Sequence, residues 1–192
     1  MRYSPQTLQK LNEGGIGVIP TDTLYGLVAR ALDEKAVERV YQVRGRRPDK
    51  PCIILIADVS DLEKFGVLLD QATKQLINRL WPGPVSIVLP CTRPEFSYLH
   101  RGTKTLAFRL PADEELQTFL RQTGPLIAPS ANSEGQSPAA TIEKARAYFD
   151  DAVDFYIDAG PRSTNPSTVL TIENGKVRVV RQGTAIIPAE LV

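Results

Sequence analysis

The chain has 192 residues, of which 42% are hydrophobic and 23% charged. That balance predicts one packed domain, residues 1–192, and excludes a disordered chain. A net charge of +1 excludes a strong whole-molecule field, so contact with nucleic acid would have to come from a local basic patch.

Ser4-Pro5 predicts a helix start, because serine caps and proline is tolerated at the first helical position. Leu8 and Leu11 share its face, and Gly14-Gly15 end it. Residues 16–19 read as a strand stopped by Pro20, followed by the polar loop T-D-T-L-Y-G-L at 21–27. Asp33 caps a second helix whose stripe is Val37, Val40 and Tyr41. This helix runs into R-G-R-R-P-D-K-P at 44–51, where Gly45, Pro48 and Pro51 exclude regular helix. Residues 52–57 are uninterruptedly apolar, as in a central strand covered on both faces. Leu76, Ile77, Leu80 and Trp81 mark a helix, stopped by W-P-G-P at 81–84 and followed by a strand at 85–89.

Residues 91–103 are polar and irregular, and His100, the only histidine, reads as a loop residue there. A strand follows at 105–110, then a helix marked by Leu116, Phe119 and Leu120 and closed by Gly124. A short strand at 126–128 leads into the long polar loop P-S-A-N-S-E-G-Q-S-P, residues 129–138. Thr141 caps a helix carrying Ala145, Tyr148 and Phe149, and strands follow at 155–157 and 167–172. Asn174-Gly175 signals a hairpin returning through 177–181. Alternating strands and helices closed by a hairpin predict an α/β (α+β) fold, a twisted mixed sheet flanked by helices.

Cys52 and Cys91 have no metal-ligand spacing and read as buried free thiols. With one histidine, a protein-held metal site or a Ser-His-Asp triad has little to draw on, and no metal site is expected. No apolar signal region opens the chain and no run is long enough to span a bilayer, so a soluble, cytoplasmic protein without a membrane partner is expected.

Arg44, Arg46, Arg47 and Lys50 crowd one stiffened loop, which suits either an anion cradle or a solvated basic turn. Thr21–Thr23 and Ser130–Asn132 follow strands directly, and Arg109 and Arg181 close strands, positions where polar groups converge in sheet folds. Each has a plain structural alternative: turn hydrogen bonds for the hydroxyls, an ion pair for Arg109. Neither a Walker loop nor G-x-G-x-x-G is present.

Seven blocks occur in a fixed order: P-T-D-T-L-Y-G-L at 20–27, R-G-R-R-P-D-K-P at 44–51, W-P-G-P at 81–84, F-R-L-P at 108–111, S-A-N at 130–132, P-S-T-V at 166–169 and R-Q-G at 181–183. Together they resemble the YrdC-type threonylcarbamoyl-AMP synthase family over nearly the whole chain, in its short form without an extra C-terminal domain. The resemblance implies a concave, basic cavity and a reaction of L-threonine, bicarbonate or CO2, and ATP to threonylcarbamoyl-AMP and pyrophosphate. The product feeds N6-threonylcarbamoyladenosine modification of tRNA through a downstream threonylcarbamoyl-transferase complex. It also implies roles: Arg46, Lys50, Ser130 and Asn132 as the catalytic set, and Thr23, Arg109 and Ser167 on L-threonine. Arg44, Arg46, Lys50, Thr105, Ser130, Ser137 and Arg181 would bind the nucleotide, and Mg2+ would arrive with ATP. Two positions depart from the family pattern. Arg44 stands at a usual lysine, and Ser133-Glu134 precede Gly135 where the pattern reads Asn-x-Ser-Gly. The alternative is a non-catalytic module of the same fold that binds tRNA or double-stranded RNA through the basic cavity; the S-A-N and P-S-T-V blocks favour the enzyme.

Overall fold

Side-chain caps open the helices where the sequence marks them. Ser4 accepts from the Thr7 N–H at α1 (Pro5–Asn12), and Asp33 from Ala36 at α2 (Glu34–Arg44). Asp70 accepts from Thr73 at α3 (Gln71–Leu80), Asp113 from Leu116 at α5 (Glu114–Thr123), and Thr141 from Lys144 at α6 (Ile142–Phe149). Each cap satisfies an amide that the first turn leaves unpaired. α4 is a single turn, Ser97–His100. The computed structural model describes residues 2–162, 165–173 and 176–191.

The strands are β1 (Gly17–Pro20), β2 (Tyr25–Arg30), β3 (Ile53–Leu55), β4 (Val85–Pro90), β5 (Thr105–Arg109), β6 (Leu126–Ile127), β7 (Phe155–Tyr156), β8 (Thr168–Glu173) and β9 (Lys176–Arg181). Among the described residues they form one nine-stranded sheet in the order β7-β1-β2-β6-β3-β5-β4-β8-β9. Pairing is mixed: β3 is parallel to β5, and β4 to β8, while β5 and β4 are antiparallel. This is the mixed sheet with flanking helices that the sequence predicts.

Side chains alternate across the sheet and feed two cores. Val18, Leu27, Ala29, Ile54 and Ile127 join one, together with residues of α2, α3, α4 and α6. Ile19, Val28, Leu55 and Leu126 join the other, under Leu11 of α1 and Leu116, Phe119 and Leu120 of α5. The second helical layer covers only the β7-to-β3 half of its face. Across β5, β4 and β8 the same face is left without helices from that cluster.

The polar loop expected at 21–27 is half strand. Thr21 turns the chain so tightly that β1 and β2 pair as a hairpin, Pro20 facing Tyr25. The polar motif overlaps the strand start and hides its apolar run, Leu27 to Ala29. His100 is a second correction: it is buried at the end of α4, where its Nδ1 accepts from the Gly102 N–H. The expected Asn174-Gly175 turn lies outside the described residues, and β8 and β9 on either side of it are antiparallel. Both cysteines are buried free thiols.

Candidate active site

A cavity of about 410 Å3 lies over the uncovered half of the sheet. Its floor is set by strand periodicity: Thr105, Ala107 and Arg109 of β5 face it, with Ile53 of β3, Val88 of β4 and Val169 of β8. The alternate residues Leu106 and Phe108 turn into the core behind. Small side chains at 105 and 107 leave the room, and the long Arg109 reaches across one end.

At that end Arg109 is only 4% exposed. Its Nη1 donates to Thr23 Oγ1 at 3.3 Å and its Nη2 to Thr21 Oγ1 at 3.4 Å. Nη2 also lies 3.1 Å from Asp22 Oδ1, a buried ion pair. The threonines are aligned by their own turn, where Thr21 Oγ1 accepts from the Thr23 N–H and donates to the Leu24 carbonyl. Neither Asp22 oxygen has a hydrogen-bond partner among the described residues, nor does Arg109 Nε. Burial pushes the Asp22 carboxyl above its ordinary range, opposed by the Arg109 charge. Arg109 is therefore a cation in a desolvated corner, held by one carboxylate and two hydroxyls and open to the cavity.

The opposite wall is the basic loop. Gly45 ends α2 in the left-handed conformation at φ 62°, which turns the chain sharply after Arg44. Arg44 is buried and acts as a hub. Its Nε donates to the Ser130 carbonyl, its Nη2 to Ser130 Oγ and Asn132 Oδ1, and its Nη1 to Glu134 at 2.7 Å. Arg46 stitches its own loop, donating through Nε to the Lys50 carbonyl and through Nη2 to the Pro51 carbonyl. Lys50 is exposed and donates to the other Glu134 oxygen at 3.0 Å. The Lys50 hydrogen bond holds the Glu134 carboxyl below its ordinary range; desolvation opposes it, and the charges of Arg44, Lys50 and Arg46 add to the lowering.

The third wall joins two distant sequence blocks. Ser167 Oγ and Ser86 Oγ share a hydrogen bond at 2.8 Å, and Arg181 Nη2 donates to the Ser167 carbonyl at 2.8 Å. Gly183 lies against this segment so closely that a Cβ would sit 2.3 Å from the Pro166 carbonyl oxygen. Burial, then repulsion from Arg109 and Arg46, weaken the hold of Arg181 on its proton. Three arginines from separate elements thus feel one another's charge across a single cavity.

Thr23, Arg44, Arg46, Thr105, Arg109, Ser130, Ser167 and Arg181 all line the cavity. Three other residues singled out in the sequence do not. Lys50 stands beside the basic wall, paired to Glu134. Asn132 is buried behind it, where its amide donates to the Ser133 and Gln136 carbonyls and its Oδ1 accepts from Ser130. Ser137 is exposed, and its carbonyl accepts from the Tyr148 hydroxyl. Sequence reasoning gave no role to Asp22, Ser86 or Glu134. Only Glu134 carried a signal, as an acid inside a departure from the family pattern. Among the described residues no cluster of three or more His, Cys, Asp or Glu could hold a metal ion, and no helix is long and apolar enough to cross a membrane. Two buried guanidinium groups, Arg44 and Arg109, with the more open Arg46 and Arg181 and several hydroxyls around a cavity of this size, suit a small polyanionic ligand and one carboxylate.

The family model Sua5/YciO/YrdC, described as "Telomere recombination", matches residues 9–183. The chain is 33% identical over 181 residues to the threonylcarbamoyl-AMP synthase of Bacillus subtilis, covering 93% of this chain and 52% of that protein. It is 30% identical over 177 residues to the threonylcarbamoyl-AMP synthase of Chromobacterium violaceum, covering 92% of each. The chain therefore spans about half the length of some curated relatives and nearly all of others. Among solved structures, Sua5 of Pyrococcus abyssi complexed with L-threonine superimposes with a TM-score of 0.84 at 32% identity, covering 93% of this chain and 53% of that one. Escherichia coli YciO matches in fold, with a TM-score of 0.85 at 24% identity over 97% of this chain and 91% of that one.

Proposed function

The chain belongs to the Sua5/YciO/YrdC family, and from that premise we propose that it is an L-threonylcarbamoyladenylate synthase. The observation that carries this reading is the meeting of two chemistries on one cavity: a buried arginine flanked by threonine hydroxyls, and further cations on two other walls, Arg44 and Arg46 on one and Arg181 on the next. A guanidinium fork matches a carboxylate, so Arg109 holds the α-carboxylate of L-threonine with Ser167 beside it, and Thr23 hydrogen-bonds the amino acid. Arg44, Arg46, Lys50 and Arg181 take the phosphates, Thr105 and Ser130 line the nucleotide's path, and Asn132 holds Ser130 and Arg44 in position. The similar P. abyssi protein was solved with L-threonine bound.

The chemistry asks for positioning and charge stabilisation rather than a protein nucleophile. The threonine amine adds CO2 and loses a proton to become a carbamate. A carbamate oxygen attacks the α-phosphorus, the bond to the β-phosphate oxygen breaks, and pyrophosphate leaves. Fixed cations stabilise the charge that develops on the transferring and leaving groups. Magnesium would come with ATP rather than in a protein cage; Asp22 and Glu134, the acids paired to the cavity-lining Arg109 and Arg44, are each engaged by arginine. A cytoplasmic place, transfer of the product to tRNA by a threonylcarbamoyl-transferase complex, and contact with tRNA through the 44–50 loop belong to the same reading.

The test is pyrophosphate release from ATP and bicarbonate with L-threonine or L-valine, since a site that hydrogen-bonds a hydroxyl rejects the analogue lacking it. Release with threonine well above that with valine is expected. Equal rates, or none with either, would overturn the reading.

A further inference from the structure

Glu134 is the acid paired to Arg44 and Lys50 of the basic wall, and its geometry is that of a bound anion. One carboxylate oxygen accepts from Arg44 Nη1 at 2.7 Å and lies 4.0 Å from Arg46 Nη1; the other accepts from Lys50 Nζ at 3.0 Å. These are three of the four cations that the proposed function gives to the phosphates of ATP, Arg181 being the fourth. Glu134 is less buried than its arginine partners, with 27% of its side chain exposed against 6% for Arg44 and 14% for Arg46. It is therefore the more solvent-accessible member of both pairs. Its backbone is anchored separately, the Glu134 N–H donating to the Arg44 carbonyl at 2.9 Å. The side chain can thus leave the cations while the loop keeps its place.

We propose that Glu134 is a built-in competitor for the phosphate cradle: its carboxylate occupies Arg44, Arg46 and Lys50 in the free protein, and a polyphosphate binds by displacing it. The inference rests on the synthase reading for the identity of the polyanion. Two consequences follow from one exchange. In the free protein the single carboxylate offsets one of three like charges, which lessens their mutual repulsion and keeps them preorganised. After the reaction the carboxylate returns to the cations, and this favours discharge of pyrophosphate, the product that would otherwise hold the same groups most tightly. Glu134 is thus an affinity-setting residue of the site rather than a member of its catalytic set.

The test is calorimetric titration of inorganic pyrophosphate, and of a non-hydrolysable ATP analogue, into the wild type, Glu134→Gln and Glu134→Ala. Glutamine keeps the size and an acceptor oxygen but removes the charge; alanine removes both and checks that a changed loop is not the cause. Both variants should bind pyrophosphate about tenfold tighter than the wild type and release it more slowly, in line with the strength of charge-assisted contacts. Affinity that is unchanged or weaker in both folded variants, with ordinary ATP-analogue binding by the wild type, would overturn the competitor role and leave the synthase reading standing. Absence of binding of either ligand to all three proteins would remove both.

Discussion

Replacing Asp22 by asparagine isolates the buried pair that orients Arg109. Both side chains are nearly excluded from solvent, 8% exposed for Asp22 and 5% for Arg109, and their charges lie 3.1 Å apart. Removing one partner leaves the other charge buried and uncompensated, a loss of about 3–5 kcal/mol. The Thr21 and Thr23 hydroxyls contact the guanidinium but carry no charge, so they offset little of it. For a domain of this size roughly 2–4 °C of melting temperature accompanies each kcal/mol, so Asp22→Asn should melt about 6–20 °C below the wild type. A ligand carboxylate can then serve as the missing counter-charge. L-threonine should therefore raise the melting temperature of Asp22→Asn more than that of the wild type. Thermal unfolding followed by circular dichroism, with and without millimolar L-threonine, reads both effects. Melting within about 2 °C of the wild type would refute the claim that Arg109 depends on this carboxylate. A threonine response equal in the two proteins would refute the claim that the substrate reaches the same cation.

Arg109→Lys keeps the charge and loses the fork, so apparent threonine affinity should fall roughly tenfold or more, with ATP-analogue affinity little changed, both read by calorimetry. Lys50→Ala should weaken ATP-analogue binding yet melt like the wild type, because Lys50 is exposed and its loop is stitched by Arg46. Gly183→Ala forces a Cβ against the Pro166 and Ser167 backbone and should lose about 1–3 kcal/mol in urea unfolding, with reduced turnover because Arg181 and Ser167 shift together. Burial raises the Asp154 carboxyl, but its Arg39 and Ile16 N–H partners more than offset this and leave it below its ordinary value of 3.8. A carboxylate lowered in the folded state stabilises above that value and loses its contribution as the pH falls from 3.8 toward the folded value. Asp154→Asn should thus have a lower urea midpoint than the wild type at pH 7, and the two should converge in acid.

Most of the architecture was legible because its determinants are local. Every helix cap named in the sequence, Ser4, Asp33 and Thr141, accepts the amide hydrogen bond expected of it. The apolar runs at 52–57 and 85–89 contain strands of the sheet interior. β2 was missed because its first residues belong to a polar motif, and only pairing with β1 and β6, distant in meaning if not in sequence, makes them a strand. His100 was misread because a single helical turn leaves no periodicity. The site was legible as a set of blocks, and eight of its named residues do share one cavity. What the blocks could not carry was pairing between them. The Asp22–Arg109 and Glu134–Arg44 contacts span 87 and 90 positions, and no spacing rule links such residues. Nor could the sequence separate Ser130, on the wall, from Asn132 just behind it, since both sit in one turn and differ only in the direction their side chains take.

Incubation of the chain with ATP, L-threonine and isotopically labelled bicarbonate, followed by chromatographic separation of nucleotides, tests the central claim most directly. A labelled adenylate is expected that requires all three substrates, forms in step with pyrophosphate, and falls sharply in Arg109→Lys. Threonine-independent pyrophosphate release, or full ATP binding with no label in any nucleotide, would contradict it.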